Sequence, residues 1–175
     1  SMAGPLMKKK SNFHRIDGLH GHIHLHPHMR PSSVSNPPKV MVRRLLGDGI
    51  HDSDEIEKIP DNWLDGLNLS YADENEVKGN PWDLISKISE MDGVITQSVT
   101  LASEAVLLGV PTLLVSKAKR GFLDRLVSEG YPLFIAKEND DSILAAWLAG
   151  IHLTDALDEP DWPNAKSELI DLIKD

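Results

Sequence analysis

The stretch Gly93-Val-Ile-Thr-Gln97 is a short apolar run, and a longer one, Thr100-Leu-Ala-Ser-Glu-Ala-Val-Leu-Leu108, follows it. The first run predicts a buried strand, and the second predicts a helix that is apolar nearly all round and stops at Gly109. Pro111-Thr-Leu-Leu-Val115 predicts the next strand. Strand, helix and strand in direct succession, with continuous apolar strands, indicate a parallel sheet that is covered on both faces.

The same alternation extends to both sides of this stretch. The further predicted elements are a strand at Leu67–Tyr71, a helix from Pro81 to about Met91, a helix at Gly121–Glu129, a strand at Pro132–Ala136, and closing helices at Ser142–Ala149 and Pro163–Lys174. Val40–Leu46 is a short apolar run that the pattern assigns to no element. We therefore predict an α/β fold with a doubly wound, mostly parallel, Rossmann-like sheet. Residues 16–175 form this domain, and residues 1–15 are predicted to be a flexible tail.

The composition excludes several classes of protein. The chain has 175 residues, 41% of them hydrophobic and 26% charged, which is the composition of a globular domain. It has no cysteine, so disulfides, zinc-thiolate sites and thiol catalysis are excluded. No apolar run approaches the roughly 20 residues of a membrane span, and the first residues lack the apolar stretch of a signal peptide. We expect a soluble, cytoplasmic protein without a transmembrane segment.

The net charge of -9 is unevenly distributed along the chain. Residues 1–44 carry eight Lys or Arg and one acid, a net +7, whereas residues 45–175 carry 10 basic residues and 26 acids, a net -16. The acidic body repels polyanions over long range, so nucleic acid is not an expected partner. This leaves a local basic site as the place for a small phosphate-bearing ligand.

The turn Gln97-Ser-Val-Thr100 joins a predicted strand to a predicted helix. Doubly wound sheets bind ligands at the carboxyl ends of their strands, where helix N-termini offer N–H groups to anions. The hydroxyls of Ser98 and Thr100 lie at such a turn, and Glu104 lies about one turn into the helix. This pattern is suited to a phosphate and a ribose diol. The alternative is that Ser98 and Thr100 only cap the helix.

The stretch from Asp92 to Val115 resembles the donor-nucleotide motif in the C-terminal half of GT-B glycosyltransferases and UDP-N-acetylglucosamine 2-epimerases. The continuation, Lys119 to Gly130, is similar to a mainly archaeal family of epimerase-like proteins. His26-Pro27 resembles the His-Pro dipeptide of bacterial capsule and sialic-acid transferases. The resemblance implies a single GT-B half-domain that binds a nucleotide sugar, UDP- or CMP-linked, with no required metal.

The resemblance also implies roles for individual residues. Ser98, Val99 and Thr100 would hold the diphosphate, Glu104 would accept the ribose hydroxyls, and His26 would contact phosphate. Val99 departs from the pattern, because these families have glycine in the turn to bring the backbone close to the phosphates.

A second departure concerns size. GT-B enzymes work in a cleft between two Rossmann domains, and this chain has room for one. Three explanations stay open: the second half is a partner subunit, the chain is a fragment, or the protein is a non-catalytic binding or assembly module.

Two further clusters are candidates for the site. The alternating histidines from His20 to His28 predict a strand that projects His22, His24 and His26 from one face, where they are candidate ligands for Zn, Ni or Cu. Otherwise these histidines line a polar cleft or an interface. Lys117 and Arg120 follow a predicted strand and are candidate phosphate ligands, unless their loop is simply solvated.

Overall fold

The computed structural model describes residues 18, 20–25, 33–45, 57–72, 81–153 and 163–174. The tail predicted for residues 1–15 lies outside these ranges. The elements in chain order are α1 (Gly21–His24), β1 (Lys39–Arg43), a 3-10 helix (Asp61–Leu64), β2 (Asn68–Tyr71), α2 (Pro81–Ser89), β3 (Gly93–Thr96), α3 (Val99–Leu107), β4 (Thr112–Val115), α4 (Gly121–Ser128), β5 (Leu133–Ala136), α5 (Asp141–Leu153) and α6 (Ala165–Lys174).

The strands of the described residues form one five-stranded sheet in the order β2-β1-β3-β4-β5. All neighbouring strands are parallel, with Val40 opposite Gly93 between β1 and β3, and Val94 opposite Thr112 between β3 and β4. This is one of the common orders of a doubly wound sheet. The predicted fold class is confirmed.

Helices cover both faces of the sheet, which explains why β3 and β4 are buried along their whole length. On one face Met41, Val94 and Leu114 pack in a core formed with α2, α3 and α4. On the other face Val42, Ile95 and further strand residues pack against the 3-10 helix and α5, whose Trp63 and Trp147 are 2% and 0% exposed. Both tryptophans are thus packing residues of the core.

β1 is a central strand, although the sequence pattern assigned its apolar run to no element. Val40, Met41 and Val42 are all fully buried, because β1 lies between β2 and β3 with both faces covered. The buried carboxylate of Asp92 fixes its start: Oδ2 accepts hydrogen bonds from the backbone N–H of Ser35 at 3.1 Å and of Lys39 at 2.7 Å.

The predicted strand through the histidines is wrong where the structure describes it, since Gly21–His24 is a helical turn. The position of α1 depends on its packing against the core. Leu25 is buried in the core, and His22 is 2% exposed, with Nε2 3.4 Å from the hydroxyl of Tyr131. The alternation of histidines therefore does not reflect strand pairing. Residues 26–28 lie outside the described residues.

The other predicted elements are observed with small shifts in their bounds. α3, for example, begins at Val99 instead of Thr100, and Gly109 follows it with a positive φ of 79°. α5 is longer than predicted and ends at Leu153; within it, a Cβ at Gly150 would overlap the ring of Phe134. None of the helices within the described ranges has both the length and the apolar character needed to cross a bilayer.

Candidate functional site

The strand order places a topological switch point between β1 and β3. From β1 the chain passes outward to β2, and β3 then lies on the opposite side of β1. Connections that leave the two neighbouring carboxyl ends in opposite directions open a crevice, which is where doubly wound sheets bind ligands. The residues at this crevice are Arg44 and Leu45 after β1, and Gln97 and Ser98 after β3.

Gln97 bridges the base of this crevice. Its side-chain Oε1 accepts a hydrogen bond from the backbone N–H of Leu45 at 2.8 Å, and Nε2 donates to the backbone oxygen of Glu57 at 2.6 Å. Its own N–H donates to the carbonyl of Arg43 at 3.2 Å. Gln97 is 7% exposed, so one buried amide fixes the end of β1 and a distant loop beside the start of α3.

The β3–α3 turn is held by two hydroxyls. The hydroxyl oxygen of Thr96 accepts from the N–H of Ser98 at 2.9 Å, and that of Ser98 accepts from the N–H of Leu101 at 3.3 Å. Ser98 is thus the N-cap of α3. Capping uses only the acceptor capacity of this hydroxyl, so its proton can still be donated to a ligand.

Thr100 and Glu104 are four residues apart and therefore lie on one side of α3. Thr100 is exposed, whereas the Glu104 side chain is 20% exposed and lies beside α1. Its Oε1 is 3.2 Å from Nε2 of His24. The structure thus gives Glu104 a histidine partner that the sequence pattern did not predict.

Lys117 lies in the loop after β4, the neighbour of β3, and its ammonium forms an ion pair with the carboxylate of Glu57. The hydrogen bond to Glu57, together with the attraction between their charges, raises the pKa of Lys117 above its ordinary value. Because Gln97 also binds the backbone of Glu57, Lys117 is tied to the switch point through that residue.

Arg120, the second predicted basic ligand, is the N-cap residue of α4. Its Nη1 donates to the backbone oxygen of Lys119 at 3.3 Å. Arg120 thus belongs to the connection between β4 and α4, as Lys117 does.

The predicted metal arrangement on one strand face is not present. His22 and His24 are two residues apart on a helix, about 200° around its axis, and only His22 is buried. Within the described ranges no three His, Asp or Glu side chains are grouped as a metal site requires. His26, the third predicted ligand and the predicted phosphate contact, lies outside those ranges.

Three linking features of this site are not predicted by the sequence pattern: the side-chain bridge of Gln97, the role of Glu57, and the contact of His24 with Glu104. A polar residue directly after a buried strand was a usable signal, since side chains at that position reach the carboxyl edge. Glu57 and His24 gave no such signal, because their partners lie 60 and 80 positions away along the chain.

No known protein-family model matches this chain, and no curated protein matches it either.

Proposed function

We propose that this chain binds a nucleotide sugar at the switch point between β1 and β3, as the donor-binding domain of a glycosyltransferase-like or epimerase-like protein. The observation that carries the proposal is the strand order, which sets the β3–α3 turn beside the carboxyl end of β1. It is the place where a doubly wound sheet accommodates a ligand, and here a nine-residue helix begins at it.

The diphosphate would bind at the first turn of α3. The leading N–H groups of a helix have no carbonyl within the helix to bind, and the helix dipole adds partial positive charge there. In α3 these N–H groups include those of Val99 and Thr100, and the Ser98 hydroxyl can donate beside them. The Val99 side chain is half-buried. Because this turn has no glycine, the phosphates would contact the backbone N–H groups at the start of α3.

The ribose would bind one turn further along α3. Glu104 lies about 6 Å along the helix axis from Thr100, on the same side. A carboxylate with its two oxygens can accept hydrogen bonds from both hydroxyls of a diol. The partial exposure of Glu104, 20%, supports a role in contact with a ligand.

The negative charge of the diphosphate needs compensation at this edge. Lys117 is 55% exposed and extends from the loop next to the turn, so it can exchange its contact with Glu57 for a phosphate oxygen. Transfer of a sugar from a nucleoside diphosphate develops charge on the leaving phosphate, which helix N–H groups and a lysine stabilise. The base for such a reaction would come from a second Rossmann domain.

The test is to titrate the protein separately with UDP, CMP and GDP while its melting temperature is measured. One of the nucleotides should raise the melting temperature by several degrees, because a ligand at 100 times its Kd stabilises the folded state by about 2.7 kcal/mol. Glu104→Gln should need at least a tenfold higher nucleotide concentration to give the same shift in melting temperature. Glu90→Gln, an exposed glutamate after α2, is the matched control and should respond like the unmodified protein. The proposal is wrong if none of the three nucleotides changes the melting temperature.

A further inference from the structure

We propose that His24 is a positioning residue for Glu104. It fixes the Glu104 carboxylate so that the site distinguishes ribose from a sugar that lacks the 2′ and 3′ hydroxyls. This inference rests on the proposed nucleotide site. It extends that site to α1, a part of the chain that the donor motif does not include.

The close approach of α1 to α3 brings the two side chains together. Gly21 lies against Leu107, and a Cβ at position 21 would overlap the Leu107 side chain. Three residues further along α1, His24 lies opposite Glu104, which is three residues earlier on α3. The two helices therefore run in opposite directions, and a glycine permits the distance at which an imidazole reaches the carboxylate.

The hydrogen bonds of His24 restrict its orientation. Nδ1 is 3.2 Å from the backbone oxygen of His20, and Nε2 is 3.2 Å from Oε1 of Glu104. A carbonyl and a carboxylate only accept, and a neutral imidazole has one N–H to donate; in the tautomer with the proton on Nε2, the ring donates to Glu104. From α1 the imidazole thus presents an N–H to the Glu104 carboxylate.

This contact occupies one acceptor position of Oε1 and leaves the remaining acceptor positions of both carboxylate oxygens for the ligand hydroxyls. Glutamate has several rotatable bonds, and fixing it before a ligand arrives lowers the entropy cost of binding. His24 and Glu104 are 25% and 20% exposed, so their pairing lies at the edge of the protein and not in its core. A ligand diol can therefore reach the fixed carboxylate.

The experiment compares each of UDP, CMP and GDP with its 2′,3′-dideoxy analogue by isothermal titration calorimetry. The unmodified protein should bind the ribose form of the active nucleotide about tenfold or more tightly than the dideoxy form, as expected for hydrogen bonds to a charged group. In His24→Leu, which keeps the volume but not the N–H, the ratio should fall to about twofold. His24→Gln, whose amide can donate to Glu104, should restore most of it.

Two controls separate positioning from a general structural effect. His152→Gln changes an exposed histidine on α5, which packs on the face of the sheet opposite to α3, so the ratio should not change. Affinity for the dideoxy analogue reports on the rest of the site and should be equal in all variants. A merely structural role of His24 would weaken both ligands together.

The outcomes also separate this inference from the proposed function. If a nucleotide binds but His24→Leu keeps the full ribose preference, the positioning role is wrong and the nucleotide site stands. If the unmodified protein binds both forms equally, Glu104 does not contact the ribose and the inference fails. If none of the nucleotides binds, both proposals are overturned.

Discussion

At the scale of single residues, the Lys117–Glu57 ion pair links a basic side chain to the carboxyl edge of the sheet. Glu57 binds Gln97 through its backbone oxygen and Lys117 through its carboxylate. The side chains of Lys117 and Glu57 are 55% and 31% exposed, so solvent screens their attraction and its contribution to stability is small. The raised pKa of Lys117 nevertheless indicates that the ion pair favours the folded state.

We expect the stabilisation by Lys117 to disappear at alkaline pH. The pKa of Lys117 is raised in the folded state above its ordinary 10.5, so the ion pair stabilises the protein fully below that value. The stabilisation is lost as the pH rises through the raised pKa, because the amine then becomes neutral. The urea midpoint of the unmodified protein should exceed that of Lys117→Met by a small constant amount up to about pH 10 and converge with it above. Lys119→Met, an exposed neighbour, should show no such convergence, and parallel curves for Lys117→Met would contradict the prediction.

At the scale of elements, the close packing of α1 on α3 decides whether His24 meets Glu104. The packing depends on Gly21, where a side chain would overlap Leu107, a core residue with 1% exposure. We expect Gly21→Ala to destabilise the protein by about 1–3 kcal/mol, since an overpacked core forces side chains or the backbone to move. Urea denaturation measures this loss.

Gly121→Ala is the matched control for this prediction. Gly121 is the first residue of α4, and no atom lies within 4 Å of a Cβ placed there. Its replacement should leave stability unchanged or raise it by about 0.4–1 kcal/mol, because alanine restricts the unfolded chain. Equal urea midpoints for the two alanine variants would show that α1 does not pack closely on α3.

At the scale of the whole molecule, Asp92 connects the segment before β1 to the middle of the sheet. Its carboxylate accepts from Ser35 and Lys39, and its own N–H donates to the backbone oxygen of Lys39 at 2.8 Å. Asp92 is 5% exposed, so its loss leaves backbone N–H groups in a poorly solvated place. The central position of β1 depends in part on this one side chain.

We expect Asp92→Ala to lower the free energy of unfolding by about 3 kcal/mol, the scale of losing hydrogen bonds to a charged acceptor. Asp92→Asn should lose less, because the amide oxygen still accepts from Lys39. Urea unfolding followed by circular dichroism gives both values. A loss below about 0.5 kcal/mol in Asp92→Ala, the size of a neutral surface change, would show that Asp92 does not hold the start of β1.

The part of the fold that the sequence predicts most closely lies between β3 and β5. There each strand is a short apolar run, and glycines such as Gly109 and Gly130 end the helices with a positive φ. These signals are local, so the bounds of the elements follow to within one or two residues. β1 and α1 carry no comparable local signal: a short apolar run is compatible with helix or strand, and the histidine alternation imitates a strand.

Local sequence signals are enough to predict the parallel α/β class and the position of the β3–α3 turn, with its residue types. They are enough because apolar runs, glycine stops and capping residues act over a few positions. Long-range packing alone makes β1 an inner strand, sets Gln97 across the crevice, and brings His24 to Glu104. These features depend on residues about 40 to 80 positions apart in the chain, and packing of the whole sheet and its helices is what brings them together.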